Sequence, residues 1–216
     1  MRFQGHTDIA LDEEGHRQAA QIASRLTGSP IVAVYSSDLS RAHETALAIA
    51  GKHNLPVLTT PELRETGLGV WEGLTRAEIE ARGEGELLTL YLMDSARNRP
   101  PQGEPLELVF ERLSRQFERI ATDHPTGDVV IVGHGGSLRA LLCYLLEAPQ
   151  SSMRRFWLDN ASLTTIEERV RGGLMSRRIL SVNDTSHLLT DLPEPLEPDQ
   201  VKANQKGNSS TVATIL

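Results

Sequence analysis

The stretch Asp128-Val129-Val130-Ile131-Val132-Gly133-His134-Gly135-Gly136 constrains the fold more than any other part of the chain. Its four consecutive β-branched residues have no polar interruption. That predicts a strand buried on both faces, and such strands belong to parallel sheets covered by helices. The sequence after Gly136 predicts a helix over 137–147. A His delivered to the carboxyl edge of a parallel sheet, where a helix begins, sits where helix-start N–H groups can hold an anion. The same order recurs upstream: Ile31-Val32-Ala33-Val34-Tyr35 reads as a short strand after Pro30, and Ala42, Ala46, Ile49 and Ala50 then share one helical face before Pro56. Alternating strands and helices predict a three-layer α/β/α fold with a mostly parallel sheet flanked by helices.

The other elements follow from periodicity. Ala19, Ile22, Ala23 and Leu26 predict a helix over 12–26 with Asp12 as its cap, and Leu106, Val109, Phe110, Leu113, Phe117 and Ile120 predict the clearest helix, over 104–123. Residues 56–73 are broken by Pro and Gly and predict a polar loop carrying Glu62, Arg64, Glu65 and Glu72 beside Trp71. Two short helical pieces at 75–82 and 85–96 suggest a lid, and later strands are expected at 162–167 and 178–182. From about Thr190 onward Pro, Asn, Gln, Ser and Lys dominate, so residues 1–188 are assigned to one domain and 189–216 to a flexible tail.

Composition narrows the partners. The 216 residues carry 22 Lys and Arg against 29 Asp and Glu, a formal charge of −7. A net negative protein is repelled by nucleic acid and anionic membranes, so neither is the expected main partner. The one cysteine, Cys143, lies in an apolar run and reads as a buried thiol. No apolar run reaches the length of a membrane span, and Met1-Arg2-Phe3-Gln4-Gly5-His6 does not resemble a signal peptide, so a cytoplasmic location is expected.

Two places could carry chemistry on their own. Gly133-His134-Gly135-Gly136 is a natural phosphate site. An esterase oxyanion loop also uses His-Gly-Gly, but that reading needs a Gly-x-Ser-x-Gly elbow, and Gly135-Gly136-Ser137-Leu138-Arg139 ends in Arg. In Tyr35-Ser36-Ser37-Asp38-Leu39-Ser40-Arg41-Ala42, Arg41 falls in the first turn of a helix, where a guanidinium can meet a phosphate bidentately.

Together with Arg2-Phe3-Gln4-Gly5-His6-Thr7-Asp8, Leu63-Arg64-Glu65, Gly69-Val70-Trp71-Glu72-Gly73 and Gly103-Glu104, these stretches resemble, in order and spacing, the histidine phosphatase superfamily. Trp71-Glu72-Gly73 and the short lid look more like the bacterial broad-specificity and α-ribazole phosphatases than the glycolytic mutases. The resemblance implies a phosphoglycerate-mutase-like fold and metal-independent hydrolysis of a small-molecule phosphate ester through a phosphohistidine, with no cofactor. It implies that Arg41 and His134 bind phosphate, that Glu65 donates the proton with Glu72 as a substitute, and that Gln4, Gly5, Ser37 and Gly135 line the site. It also implies an Arg-His-Gly strand before the segment equivalent to Arg2-Phe3-Gln4-Gly5. The nucleophilic His of that strand has no counterpart here, so the sheet is expected to lack its first strand and to leave a position or an edge unfilled. A non-catalytic phosphate-binding relative and a mutase-type phosphotransferase are the alternatives.

Overall fold

A computed structural model describes residues 2–171, 174–189 and 209–215. Its elements run α1 (Glu13–Leu26), β1 (Ile31–Ser37), α2 (Ser40–His53), β2 (Val57–Thr60), α3 (Arg76–Ala81), α4 (Gly85–Met93), α5 (Leu106–Asp123), β3 (Gly127–Val132), α6 (Gly135–Leu145), β4 (Leu163–Arg171), β5 (Leu174–Asp184) and β6 (Ser209–Ile215). The expected three-layer α/β/α arrangement is present. One sheet has the order β2-β1-β3-β6-β4-β5, with β2, β1, β3 and β6 parallel and the β4–β5 hairpin antiparallel.

The period-two alternation of β3 divides the core. Val129 and Ile131 face α5 and α6, where Leu113, Phe117, Leu138 and Leu141 meet them; Val130 and Val132 face α1 and α2, against Ile22, Ala46 and Ile49. Both faces are therefore covered, which is why β3 carries an uninterrupted apolar run. A third cluster stands apart: Leu68, Trp71, Ile79 and Leu88 pack with Phe3 and Tyr91 around α3 and α4. The lid region expected from the sequence thus has its own small core. Trp71 is fully buried in it and donates its indole N–H to Glu84 at 2.6 Å.

The register of β1 against β3 sets up the site. Ser36 pairs with Val132, so the two strands end side by side and deliver the loops before α2 and α6 to the same edge of the sheet. Helix α6 begins two residues earlier than expected, taking Gly135 and Gly136 into its first turn.

Three expectations are corrected. Residues 57–60, assigned to a loop, form the edge strand β2, whose pairing with β1 a local reading cannot see. Of the tail expected over 189–216, residues 190–208 and 216 lie outside the described residues, whereas Ser209–Ile215 form β6. The anticipated unfilled sheet position is not there: β6 pairs along β3 on one side and β4 on the other. Two interior edges would otherwise leave buried backbone groups without partners. Among the described residues, no helix is long and apolar enough to cross a membrane.

A chain ended after Leu189 removes β6 from this ladder. Its melting temperature should fall by roughly 10 °C or more, since backbone bonds contribute about 1 kcal/mol each and each kcal/mol is worth about 2–4 °C in a chain of this size. An unchanged melting temperature by calorimetry would show that β6 adds nothing to the sheet.

Candidate active site

At the shared edge of β1 and β3 lies a cavity of about 650 Å³. Arg41, His134, Glu65, Gln4, Gly5 and Gly135 all line it. Ser37 does not: it is fully buried at the end of β1, and its hydroxyl accepts the Leu39 N–H at 3.3 Å. Its expected place in the site lining is corrected accordingly. Among the described residues His134 is the one histidine lining the cavity, since His6 turns its Nε2 to the Glu65 carbonyl at 2.7 Å.

His134 is placed by β3 and held at the start of α6. Its N–H donates to the Ser137 hydroxyl at 3.2 Å, and that hydroxyl donates back to the His134 carbonyl at 3.1 Å. The ring is buried, and its Nε2 has no hydrogen-bond partner. Burial lowers its pKa to about 4, with Glu65 opposing and Arg41 assisting the shift, so the imidazole is neutral at pH 7. An unfolded His titrates near 6.5, so between pH 6.5 and about 4 the unfolded chain binds the extra proton. This group's contribution to stability is intact above 6.5 and is eroded as the pH falls to about 4.

Glu65 reaches the same helix start from 71 residues away. Its carboxylate accepts the N–H groups of Gly136 and Ser137, both at 2.9 Å, and of Thr66 at 2.7 Å. Gly136 is required for that approach, because a Cβ there would stand 2.5 Å from Glu65 Oε1. The first N–H groups of α6 do hold an anion, then, but it is the protein's own carboxylate. Helix α2 behaves alike, with Asp8 accepting the Ser40 N–H at 2.7 Å and its hydroxyl at 2.9 Å.

Arg41, in the first turn of α2, donates to the carbonyls of Thr7 and Gly5, each at 3.0 Å. Burial draws its guanidinium below the ordinary value, with Glu65, Asp8 and Glu72 acting in the opposite sense. It remains charged at physiological pH. Glu72 sits behind the 5–8 loop, accepting the N–H groups of His6 and Leu68 at 2.9 Å, and a Cβ at Gly5 would collide with its carboxylate. Gly5 also has φ +53, so both its backbone and its neighbour demand glycine. Glu72 is accordingly a buttress of the loop and does not line the cavity.

The model of the histidine phosphatase superfamily (branch 1) matches residues 1–184. The chain belongs to this superfamily. It is 37% identical over 188 residues to the Bifunctional protein Rv2228c of Mycobacterium tuberculosis, covering 87% of this chain and 50% of that protein. The chain therefore spans about half the length of that relative. It is 32% identical over 187 residues to Phosphoserine phosphatase 1 of Hydrogenobacter thermophilus, covering 87% of this chain and 86% of the relative. Among solved structures, the mycobacterial glucosyl-3-phosphoglycerate phosphatase Rv2419c in complex with VO3 superposes with a TM-score of 0.76 at 32% identity, covering 84% of this chain and 90% of that one.

In this member of the superfamily, two residues that position the 62–67 segment escaped the sequence reading as a pair. Arg112 on α5 grips Glu104 through Nε at 2.8 Å and Nη2 at 2.9 Å, and also donates to the carbonyls of Glu62, Arg64 and Glu65 at 2.7 to 2.9 Å. Glu104 accepts the Gly67 N–H at 3.1 Å. Burial works to raise the Glu104 carboxyl, but the hydrogen bonds and charge of Arg112 outweigh it and hold the group below the usual value. Glu104 appeared in the matching stretch Gly103-Glu104, whereas Arg112, a cation on an amphipathic helix, carries no local signal that sets it apart. Among the described residues, no group of three or more His, Cys, Asp or Glu side chains could hold a metal ion.

Arg112→Ala leaves Glu104 half-buried without the guanidinium and takes this donor from the Glu62 and Arg64 carbonyls, the Glu65 carbonyl keeping His6. It should destabilise the fold by about 3–5 kcal/mol, the cost of breaking a buried pair. Chemical denaturation measures this directly, and a loss below about 1 kcal/mol, the range of exposed pairs, would deny the clamp.

Proposed function

We propose that this chain binds small phosphomonoesters with the phosphoryl group between Arg41 and His134, and that the site serves metal-independent hydrolysis through a phosphohistidine. The observation that carries the reading is the buried, unpartnered Nε2 of His134, a residue that lines one cavity with Arg41. An orphaned buried nitrogen costs about 1–3 kcal/mol, and a phosphoryl oxygen would relieve it. Arg41 supplies the fixed positive charge. His134, neutral at pH 7, supplies a hydrogen bond when Nε2 carries the proton. Such preorganised donors stabilise the charge spread over the transferring group.

Glu65 is the proton-transfer group in this reading. Its three N–H bonds fix the carboxyl group beside the start of α6; in its protonated form it can give that proton to the leaving alkoxide, and the carboxylate so left can take one from the attacking water. The nucleophile in the family reading is a second imidazole in line with the phosphorus. Residues 1–216 bring no second described histidine to the cavity. We therefore assign these residues phosphate binding and charge stabilisation, with covalent turnover requiring an imidazole supplied to the site. The relatives named for phosphoserine and glucosyl-3-phosphoglycerate favour a small phosphate ester as substrate.

The test combines binding and labelling. Purified 1–216 should bind orthovanadate or inorganic phosphate by calorimetry, and Arg41→Ala should weaken that binding by about 1.5–3 kcal/mol, the value of a charged hydrogen bond. Incubation with a labelled phosphomonoester should leave no acid-labile, base-stable protein phosphate. Absence of binding would refute the site, and a stable phosphohistidine would show that a histidine given another role here is the nucleophile.

A further inference from the structure

The loop that leads into β4 forms a wall of the cavity with an unusual backbone. Leu163 of β4 pairs with Ile215 of β6, and Ile215 pairs with Val132 of β3, so the 157–162 loop opens on the same edge of the sheet as His134, two strand spacings or about 10 Å away. Leu158, Asn160 and Ala161 line the cavity. Ala161 is buried and stands at φ +54, in the left-handed region that a residue with a Cβ seldom adopts. Such a conformation persists only where the neighbours over-determine the backbone.

Two clasps hold it. On one side Asn183, at the end of β5, accepts the Asp159 N–H at 2.7 Å through its carboxamide oxygen and donates to the Asp159 carboxylate at 2.9 Å; the Trp157 indole donates to the same carboxylate at 2.8 Å. On the other side His187 donates Nε2–H to the Ala161 carbonyl at 2.9 Å. His187 lies in the 3-10 turn Ser186–Leu188, and Leu188 packs against the core cluster that α1 and α2 share. Burial draws the His187 pKa below its ordinary value, against the hydrogen bond to Ala161 and the charge of Asp184, so the ring is neutral at pH 7. Its Nδ1 is buried with no partner, which leaves the proton on Nε2, where the acceptor is. Asn160 stands between the two pinned residues, and its side chain is exposed. Among the described residues its carboxamide meets no hydrogen-bond partner.

We propose that Asn160 is a specificity-determining residue, which hydrogen-bonds a hydroxyl on the organic part of the phosphate ester, and that His187 is the residue that positions it, through Ala161. The inference rests on the assignment of the phosphoryl group to Arg41 and His134. A carboxamide offers both a donor and an acceptor, so it can meet a hydroxyl in either sense. An Asn on an unclasped loop would lose backbone freedom on binding, whereas the clasps at Asp159 and Ala161 have fixed that backbone beforehand. Inorganic phosphate has no organic part and does not reach the loop, so the two ligands separate this contact from the phosphoryl site.

The experiment measures dissociation constants by calorimetry at pH 7 and fixed ionic strength for residues 1–216, with inorganic phosphate and glycerol 3-phosphate as probes. Asn160→Ala should weaken glycerol 3-phosphate about threefold to tenfold, the scale of one neutral hydrogen bond, and leave inorganic phosphate within about twofold. His187→Ala should show the same loss confined to the ester. His187→Gln, whose amide N–H can replace Nε2–H, should recover most of it. The double variant of Asn160→Ala with His187→Ala should lose no more than Asn160→Ala alone, because one residue acts through the other. Unchanged ester binding in Asn160→Ala would overturn the proposal, and that substitution removes an exposed side chain, so folding does not cloud the result. Losses in His187→Ala that extend equally to inorganic phosphate, or that add in full to those of Asn160→Ala, would overturn the positioning role. Wild type that binds no inorganic phosphate would remove the phosphoryl reading and this contact with it, whereas wild type that binds phosphate with no effect at Asn160 would remove the contact alone.

Discussion

The grip of Arg112 on Glu104 and on three carbonyls of the 62–65 segment is the interaction on which the geometry of the cavity depends. Helix α5 is rigid because Leu113, Phe117 and Ile120 pack it against the sheet. Arg112 transfers that rigidity to a segment with only a three-residue turn of its own, Pro61–Leu63. The segment is fixed from a second direction by the bidentate Arg64–Asp38 pair, at 2.6 to 2.7 Å, which links it to the loop before α2. Glu65 is therefore carried to the start of α6 by neighbours that are already immobile. Arg41 and His134 line one cavity because β1 and β3 end in register.

The electrostatics of the site follow from the same arrangement. Both helix starts that face the cavity edge are capped by the protein's own carboxylates, Asp8 on α2 and Glu65 on α6. The N–H groups of Ser40, Gly136 and Ser137 are thereby occupied. Arg41 provides charge, and the buried His134 provides a neutral hydrogen-bonding group. Arg139 and Arg154 line the same cavity as Glu65.

How much of this could be read from sequence depends on whether the cause is local. The β3 run, the His-Gly-Gly exit and the α5 stripe announce themselves because burial on a regular element imposes its own period. Asp12 as the α1 cap was legible for the same reason, and its carboxylate accepts the Gly15 N–H at 2.8 Å. Strand β6 was not. Its seven residues follow a stretch rich in Pro, Glu, Asn, Gln and Lys, and what makes them a strand is pairing with β3 and β4, far away in sequence. Glu65 was legible as a candidate acid, but its seat on α6 was not, because 71 residues separate the partners. Arg112 was hidden by its place on an amphipathic helix, where a cation facing solvent and a cation clamping a loop look the same.

The central claim is that an entering phosphoryl group meets the orphaned Nε2 of His134. The direct measurement is a pH titration of the His134 imidazole by nitrogen-15 NMR, with and without saturating inorganic phosphate. In the free protein the ring should titrate at about 4, because burial disfavours its charged form. A bound phosphate beside it should raise that pKa and shift the Nε2 resonance at pH 7 in proportion to occupancy. A free-protein pKa near 6.5, or a resonance that phosphate leaves unmoved while other signals saturate, would contradict the account.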